Sequence, residues 1–174
     1  HGAVTGTSLS GERNGSVDPS LLSGDDINFF DEEIIGIART EGLFALQMDA
    51  NRLADRRVIK KSIFNLDSKE ALGHSASIIW RQLQHIAEVL DKEKLYAWNT
   101  ACIGSDFDGT INPLNGVWTA EYLPLLAQAL LSEAQLFCES NNSLTLEDNK
   151  RIGPEEIVEK FIYGNTINFL KRHY

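Results

Sequence analysis

Apolar residues recur along this chain in patterns that predict alternating helices and strands. Phe30, Ile34, Ile37 and Ala38 follow i, i+4, i+7, i+8 spacing, the mark of a helix with one apolar face. Asn28 ahead of them is a natural N-cap, and Asp31, Glu32 and Glu33 suit the positive end of the helix dipole. Gly42 is a natural stop. Residues 43–48 (Leu-Phe-Ala-Leu-Gln-Met) are a near-continuous apolar run, which predicts a strand covered on both faces, as in a parallel sheet. Leu72, Ala76, Ile79, Leu83, Ile86 and Leu90 then recur at steps of three and four, predicting a long helix over 68–91 with one stripe against a sheet. Residues 100–105 read as a second strand. Pro124 opens a helix whose core face is Leu126, Leu130, Ala134 and Phe137. Pro154-Glu155-Glu156 opens another. Gly164 breaks it, and Asn165 caps a last short helix with Ile167, Phe169 and Leu170.

Helix, strand, helix, strand, helix is an α/β alternation, so the fold class is α/β around a parallel sheet. Two strands are too few for such a sheet, because its hydrogen-bonding edges stay open. Further strands are therefore expected, either unrecognised here or upstream of His1. The chain does not begin with Met and shows no leader pattern, so it reads as a piece of something longer. Residues 1–27 are rich in Gly and Ser without a period, which predicts a functional or disordered loop. Residues 139–153 read as a polar connection.

Composition narrows the partners. The 174 residues fit one domain. The formal net charge of −9 disfavours nucleic acid and anionic membrane surfaces. No apolar run reaches the roughly 18 residues of a membrane-spanning helix. Cys102 and Cys138 cannot form a disulfide framework, and Cys102 on an apolar strand reads as an inert buried thiol. The compartment stays open between cytoplasmic and periplasmic. Arg52, Arg56, Arg57, Lys60 and Lys61 read as a solvated face. His85 reads as a surface or boundary residue, and Trp80, Trp98 and Trp118 as packing. Asn14-Gly15-Ser16 and Asn141-Asn142-Ser143 match the glycosylation sequon, a pattern common by chance.

The sharpest chemistry lies at Asp106-Phe107-Asp108-Gly109-Thr110, directly after the second strand. The C-terminal end of a parallel strand is where α/β enzymes place catalytic groups. A simple turn is the alternative, since Asp-Gly favours one, with Asp108 holding backbone N–H groups. The five residues also resemble the opening motif of the haloacid-dehalogenase family. That resemblance implies a magnesium-dependent phosphohydrolase with Asp106 as nucleophile and Asp108 as acid/base.

A second resemblance uses more of the chain. His1-Gly2-Ala3, Arg13-Asn14 a dozen residues on, Ile103-Gly104-Ser105-Asp106-Phe107-Asp108-Gly109, and Gly164-Asn165 with Phe169-Leu170 occur in this order. The set resembles the C-terminal portion of the membrane (renal) dipeptidase family, peptidase family M19. The resemblance implies part of a (β/α)8 TIM barrel of the amidohydrolase type, a single domain over 1–174 running from the end of strand 6 through the C-terminal helix. It implies hydrolysis of dipeptides or small amides at a two-zinc centre. His1 then matches a zinc-binding histidine, and imidazole suits zinc. Arg13 matches the arginine that holds the substrate carboxylate, with Asn14 as its neighbour. Asp106 matches the aspartate that touches substrate and relays a proton between the attacking water and the leaving amine. The family's His-x-Asp pair, bridging glutamate and second zinc histidine have no counterpart here. The resemblance thus implies that this chain carries part of an active site and is inactive alone. The remainder of the barrel, or a second copy in a homo-oligomer, is the expected partner. A non-catalytic interaction fragment using the open sheet edge is the non-enzyme alternative.

Overall fold

The expected alternation is present in the computed structural model, which describes residues 1–63, 68–110, 112–140 and 143–174, without the side chains of 61–63 and 68. Lys61's side chain and the sequon residue Asn141 lie outside the described residues. The helices are α1 (Asp31–Arg39), α2 (Ala50–Leu53), α3 (Arg56–Ile63), α4 (Ser68–Lys92), α5 (Leu123–Glu139), α6 (Glu147–Lys150), α7 (Pro154–Glu159) and α8 (Asn165–His173). Strand β1 (Phe44–Gln47) follows α1, and β2 (Ala101–Ser105) follows α4. The helices α2 and α6 are too short to show a period, and α3 buries Val58 and Ile59.

The two strands pair in parallel, with Phe44 opposite Ala101 and Leu46 opposite Ile103. Gln47 then faces Ser105, so Gly104 is an extra residue bulged out of register. On the far side of β1 the N-terminal segment joins the hydrogen-bonded layer. Gly2 donates to Ala45 O at 3.0 Å and accepts from Gln47 N–H at 2.9 Å. Phe29 N–H in turn donates to Ala3 O at 2.8 Å, and Thr5 N–H to Phe29 O at 2.9 Å. Part of the 1–27 segment thus joins the edge of the sheet through isolated parallel bridges, where the sequence predicted only loop. Glycine and threonine at this end hide any alternation of polar and apolar residues.

The sheet is not covered equally on its two faces. Phe44 and Leu46 are buried, whereas Ala45 and Gln47 are only half-buried. This corrects the expectation of a strand enclosed on both faces. The helices pack as their stripes predict, and Leu126, Leu130, Ala134 and Phe137 of α5, which packs on α4 and α7, are all buried. Trp80, Trp98 and Phe137 form an aromatic cluster with centroid separations of 5.6–6.4 Å, each pair contributing roughly 0.5–1.5 kcal/mol beyond its area.

Three helix boundaries differ from the reading of the sequence. Asn28 does not cap α1. It is buried and donates to Ser23 O and Arg52 O, while Phe30 N–H is taken by the Glu33 carboxylate at 2.9 Å. At the other end of α1 the left-handed turn falls on Glu41, at φ 55°, rather than on Gly42. Gly164 does not break the last helix, because Lys160–Gly164 widen into a π-helical turn that runs on into α8. Asn165 is accordingly not a cap. Its buried amide donates to Trp98 O and Ala101 O, both at 2.8 Å, fastening the C-terminal helices to the start of β2.

The largest departure lies on α4. Besides its apolar stripe, this helix buries a polar one, Gln82, His85, Glu88 and Asp91, at 0, 1, 6 and 2% exposure. Each has a dedicated partner, as buried polar groups require. Gln82 accepts from Val4 N–H and donates to Leu53 O, both at 2.7 Å. His85 Nε2 lies 2.7 Å from Asp31 Oδ1. Glu88 accepts from Ser16, Gln84 and Ser143. Asp91 accepts from Thr145, Leu146 and Asn149. His85 is therefore not at the surface. The loops at 14–16 and 143–149 cover this side of the helix, and no local pattern announces long-range covering.

An acid sensitivity follows from this stripe. Burial pushes the Glu88 and Asp91 carboxyls up, but their accepted hydrogen bonds outweigh it and the net shift of both is downward. A carboxylate with a folded pKa below its unfolded value stabilises the fold above the unfolded pKa. That stability disappears as pH falls through the folded value. Urea midpoints should therefore drop below about pH 4, the ordinary carboxylate range. Asp91→Asn should be less stable at neutral pH and should lose part of this acid dependence.

Candidate functional site

The C-terminal ends of the parallel strands meet at the Asp106 turn. Asp106 takes left-handed backbone at φ 62°, which costs a non-glycine residue roughly 1–2 kcal/mol. The turn is held through its carbonyl oxygen, which accepts from Gly109 N–H at 3.0 Å and from Thr110 N–H and Oγ1, each at 2.7 Å. Asp108, expected as a possible holder of the turn, is exposed, and these bonds converge on Asp106 instead. The phosphohydrolase reading thus finds its second acid on the solvent side of the turn.

The Asp106 side chain points to the neighbouring strand ends. Gln47, the last residue of β1, donates its Nε2 to Asp106 Oδ2 at 2.8 Å. His1 Nε2 lies 3.5 Å from the same oxygen. The pairing of Gly2 alongside Leu46 carries His1 to this spot, so three adjacent parallel segments each contribute one side chain. The side chains of His1 and Asp106 remain 49% and 33% exposed, which leaves both accessible to an incoming group. Gly104 helps to shape this end. A Cβ there would stand 2.8 Å from the Ala45 backbone and Cβ, too close without movement of the strand. Gly104→Ala should therefore lower stability by about 1–3 kcal/mol in urea unfolding, the usual range for overpacking.

The remaining expected site residues are engaged elsewhere. Arg13 donates Nε to Gly15 O at 2.9 Å and Nη2 to Ser16 O, folding its guanidinium onto its own loop. Asn14 lies in the seam between α1 and α4, donating to Asp31 Oδ2 at 2.8 Å and accepting from Lys92 Nζ at 2.6 Å. Of the four expected positions, the structure joins His1 and Asp106. Arg13 and Asn14 have partners of their own in the loop and the seam. Gln47 is the member that sequence reasoning missed. The available clue was a polar residue closing an apolar strand, adjacent in the sheet to the strand that carries the acid.

The donors present can be set against a zinc site. Protein zinc sites use three or four protein ligands, drawn mainly from His, Cys, Asp and Glu. Among the described residues no group of three or more such side chains converges. His1 and Asp106 are ligands of suitable type and are accessible, but a pair is not a closed site. Burial pushes the pKa of the Cys102 thiol up.

A separate cleft of about 770 Å³ opens between the start of α4 and α5, lined by Leu72, Trp118, Tyr122, Leu125 and Glu133 among others. None of His1, Gln47 and Asp106 lines it. Trp118, expected to be packing, is half-exposed there, edge-to-face with Tyr122 at 5.9 Å.

Comparison with protein-family models, with curated proteins and with solved structures finds no match.

Proposed function

We propose that the chain is the C-terminal part of a zinc-dependent dipeptidase with a (β/α)8 barrel, the reading that the resemblance to the membrane dipeptidase family implies. The observation that carries it is the approach of His1 Nε2 to within 3.5 Å of Asp106 Oδ2 at the C-terminal ends of parallel strands. These residues are 105 positions apart in sequence, and the family reading requires their side chains to face one centre. The half-covered face that carries Ala45 and Gln47 also supports it, because in a barrel that face lines the interior.

In this reading His1 is one metal ligand and Asp106 the group that moves the proton. The metal, when bound, supplies Lewis acidity that polarises the scissile carbonyl. Asp106 takes a proton from the attacking water and returns it to the leaving amine, for which its exposed carboxylate is suited. The resemblance would give Arg13 the substrate carboxylate, while in the structure its guanidinium is bonded to the Gly15 and Ser16 carbonyls of its own loop. The reading requires the other metal ligands to come from residues outside this sequence.

A dipeptide panel tests the proposal, assayed with and without added zinc. The longer protein including the preceding strands should hydrolyse dipeptides in a zinc-dependent manner, and the 174-residue chain alone should not. Hydrolysis by the isolated chain would refute the divided site. Inactivity of both forms would refute the dipeptidase reading.

A further inference from the structure

The sequence holds two Asn-Gly pairs, Asn14-Gly15 and Asn115-Gly116. The first lies where the N-terminal loop presses on the polar stripe of α4. A Cβ at Gly15 would stand 2.5 Å from Glu88 Oε2 and 3.1 Å from His85 Nδ1, so this close approach calls for glycine. Ser16 follows, with its main-chain N–H and its hydroxyl both donating to the Glu88 carboxylate. The Asn14 side-chain amide is held at both ends. Its Nδ2 donates to Asp31 Oδ2 at 2.8 Å, and its Oδ1 accepts from Lys92 Nζ at 2.6 Å. Asp31 is itself buried and lies against His85.

We propose that Asn14 is a deamidation site latched by Asp31 and Lys92, and that its conversion permanently releases the 13–16 loop from α4. The proposal goes beyond the dipeptidase reading and does not rest on it. An Asn-Gly pair is chemically labile because glycine carries no side chain to keep its main-chain nitrogen from the preceding amide carbon. Gly15 N attacks Asn14 Cγ, and the Cγ–Nδ2 bond breaks. Ammonia leaves with the proton that Gly15 N has given up, and a succinimide ring remains. Water then adds to either ring carbonyl and a ring C–N bond breaks, which gives aspartate or isoaspartate. In the closed seam both ends of the amide are engaged, so the attack needs local opening of the loop. Closure afterwards is blocked. The new carboxylate has no N–H to donate to Asp31, and it faces that residue as a like charge. The packing that demands glycine at position 15 is thus also what makes the contact perishable.

The test follows residue 14 by peptide mass mapping while the 174-residue chain is held at neutral pH in ¹⁸O-labelled water, with Asn115 as an internal reference. Heavy oxygen should appear at residue 14 about tenfold more slowly in the folded chain than in the same chain unfolded in urea, the protection expected of two hydrogen bonds. Lys92→Met removes one side of the latch. It should raise the rate at Asn14 severalfold and leave Asn115 at its wild-type rate. A slower rate in Lys92→Met overturns the latch, because the lysine would then be activating the amide. Equal rises at both asparagines overturn it too, since that is the signature of general unfolding. Absence of label at residue 14 in both folded and unfolded chains removes the site. Asn14→Asp reproduces one of the two products directly. It should lower the urea midpoint and open the 13–16 segment to limited proteolysis, whereas a midpoint and cleavage pattern equal to those of wild type overturn the release.

Discussion

On the proposed dipeptidase reading, Asp106→Asn should lower dipeptide hydrolysis by the enzyme that contains this chain about 10²- to 10⁴-fold, the usual worth of a positioned acid–base group. The substitution is informative because it should leave the turn intact. Asparagine tolerates left-handed backbone as well as aspartate does, so φ 62° adds no new strain. The bonds that close the turn go to the main-chain oxygen of residue 106, which the variant keeps. The asparagine amide oxygen can still accept from Gln47. What disappears is the ability to take and return a proton. A loss of kcat with an unchanged urea midpoint is the expected outcome. Activity within about twofold of wild type would remove Asp106 from the chemistry.

The second large effect concerns the fold. Asp31→Ala should cost about 1–3 kcal/mol, the range for leaving a buried hydrogen-bonding group without its partner. The Asp31 and His85 side chains are 2% and 1% exposed and lie 2.7 Å apart. Asp31 Oδ2 also takes the amide of Asn14, so the alanine variant strands two buried or half-buried donors. Small domains are stable by only about 5–15 kcal/mol, so the loss should be evident as a large fall in the urea midpoint. Replacing both members, Asp31→Leu with His85→Leu, should recover part of the loss, since apolar pairs of similar volume often substitute without penalty. A midpoint unchanged by Asp31→Ala would mean that this pair does not fasten α1 to α4.

What could be read from the sequence follows from which forces are local. The face Leu126, Leu130, Ala134 and Phe137 was plain because helical spacing and burial coincide, and all four are buried. The long helix was legible for the same reason, and the strands were legible as short apolar runs, although the first is covered on one face only. Asp106 stood out because an acidic pair directly after an apolar strand is unusual. The polar stripe on α4 was invisible. Gln82, His85, Glu88 and Asp91 are buried because chain segments 3–16 and 143–149, together with α1 and α2, fold over them, and polar residues at helical spacing normally signal solvent. Residues 2–5 gave no strand signal because their pairing with Ala45, Gln47 and Phe29 runs through the backbone. Asn28 and Asn165 have the residue type of caps, yet each spends its amide on distant carbonyls. Gln47 acquires meaning only when β2 brings Asp106 beside it. The site was therefore half legible. Asp106 and His1 were marked by sequence, and Gln47 was marked only by the register of the sheet.

Zinc content measured on the longer protein, for wild type and for His1→Ala, tests the central claim most directly. The account predicts that the wild type retains two zinc ions per chain after dialysis. His1→Ala should retain fewer and lose hydrolysis, with its far-ultraviolet circular dichroism unchanged. Equal zinc content and equal activity in the two proteins would contradict it, because the imidazole beside Asp106 would then serve no metal.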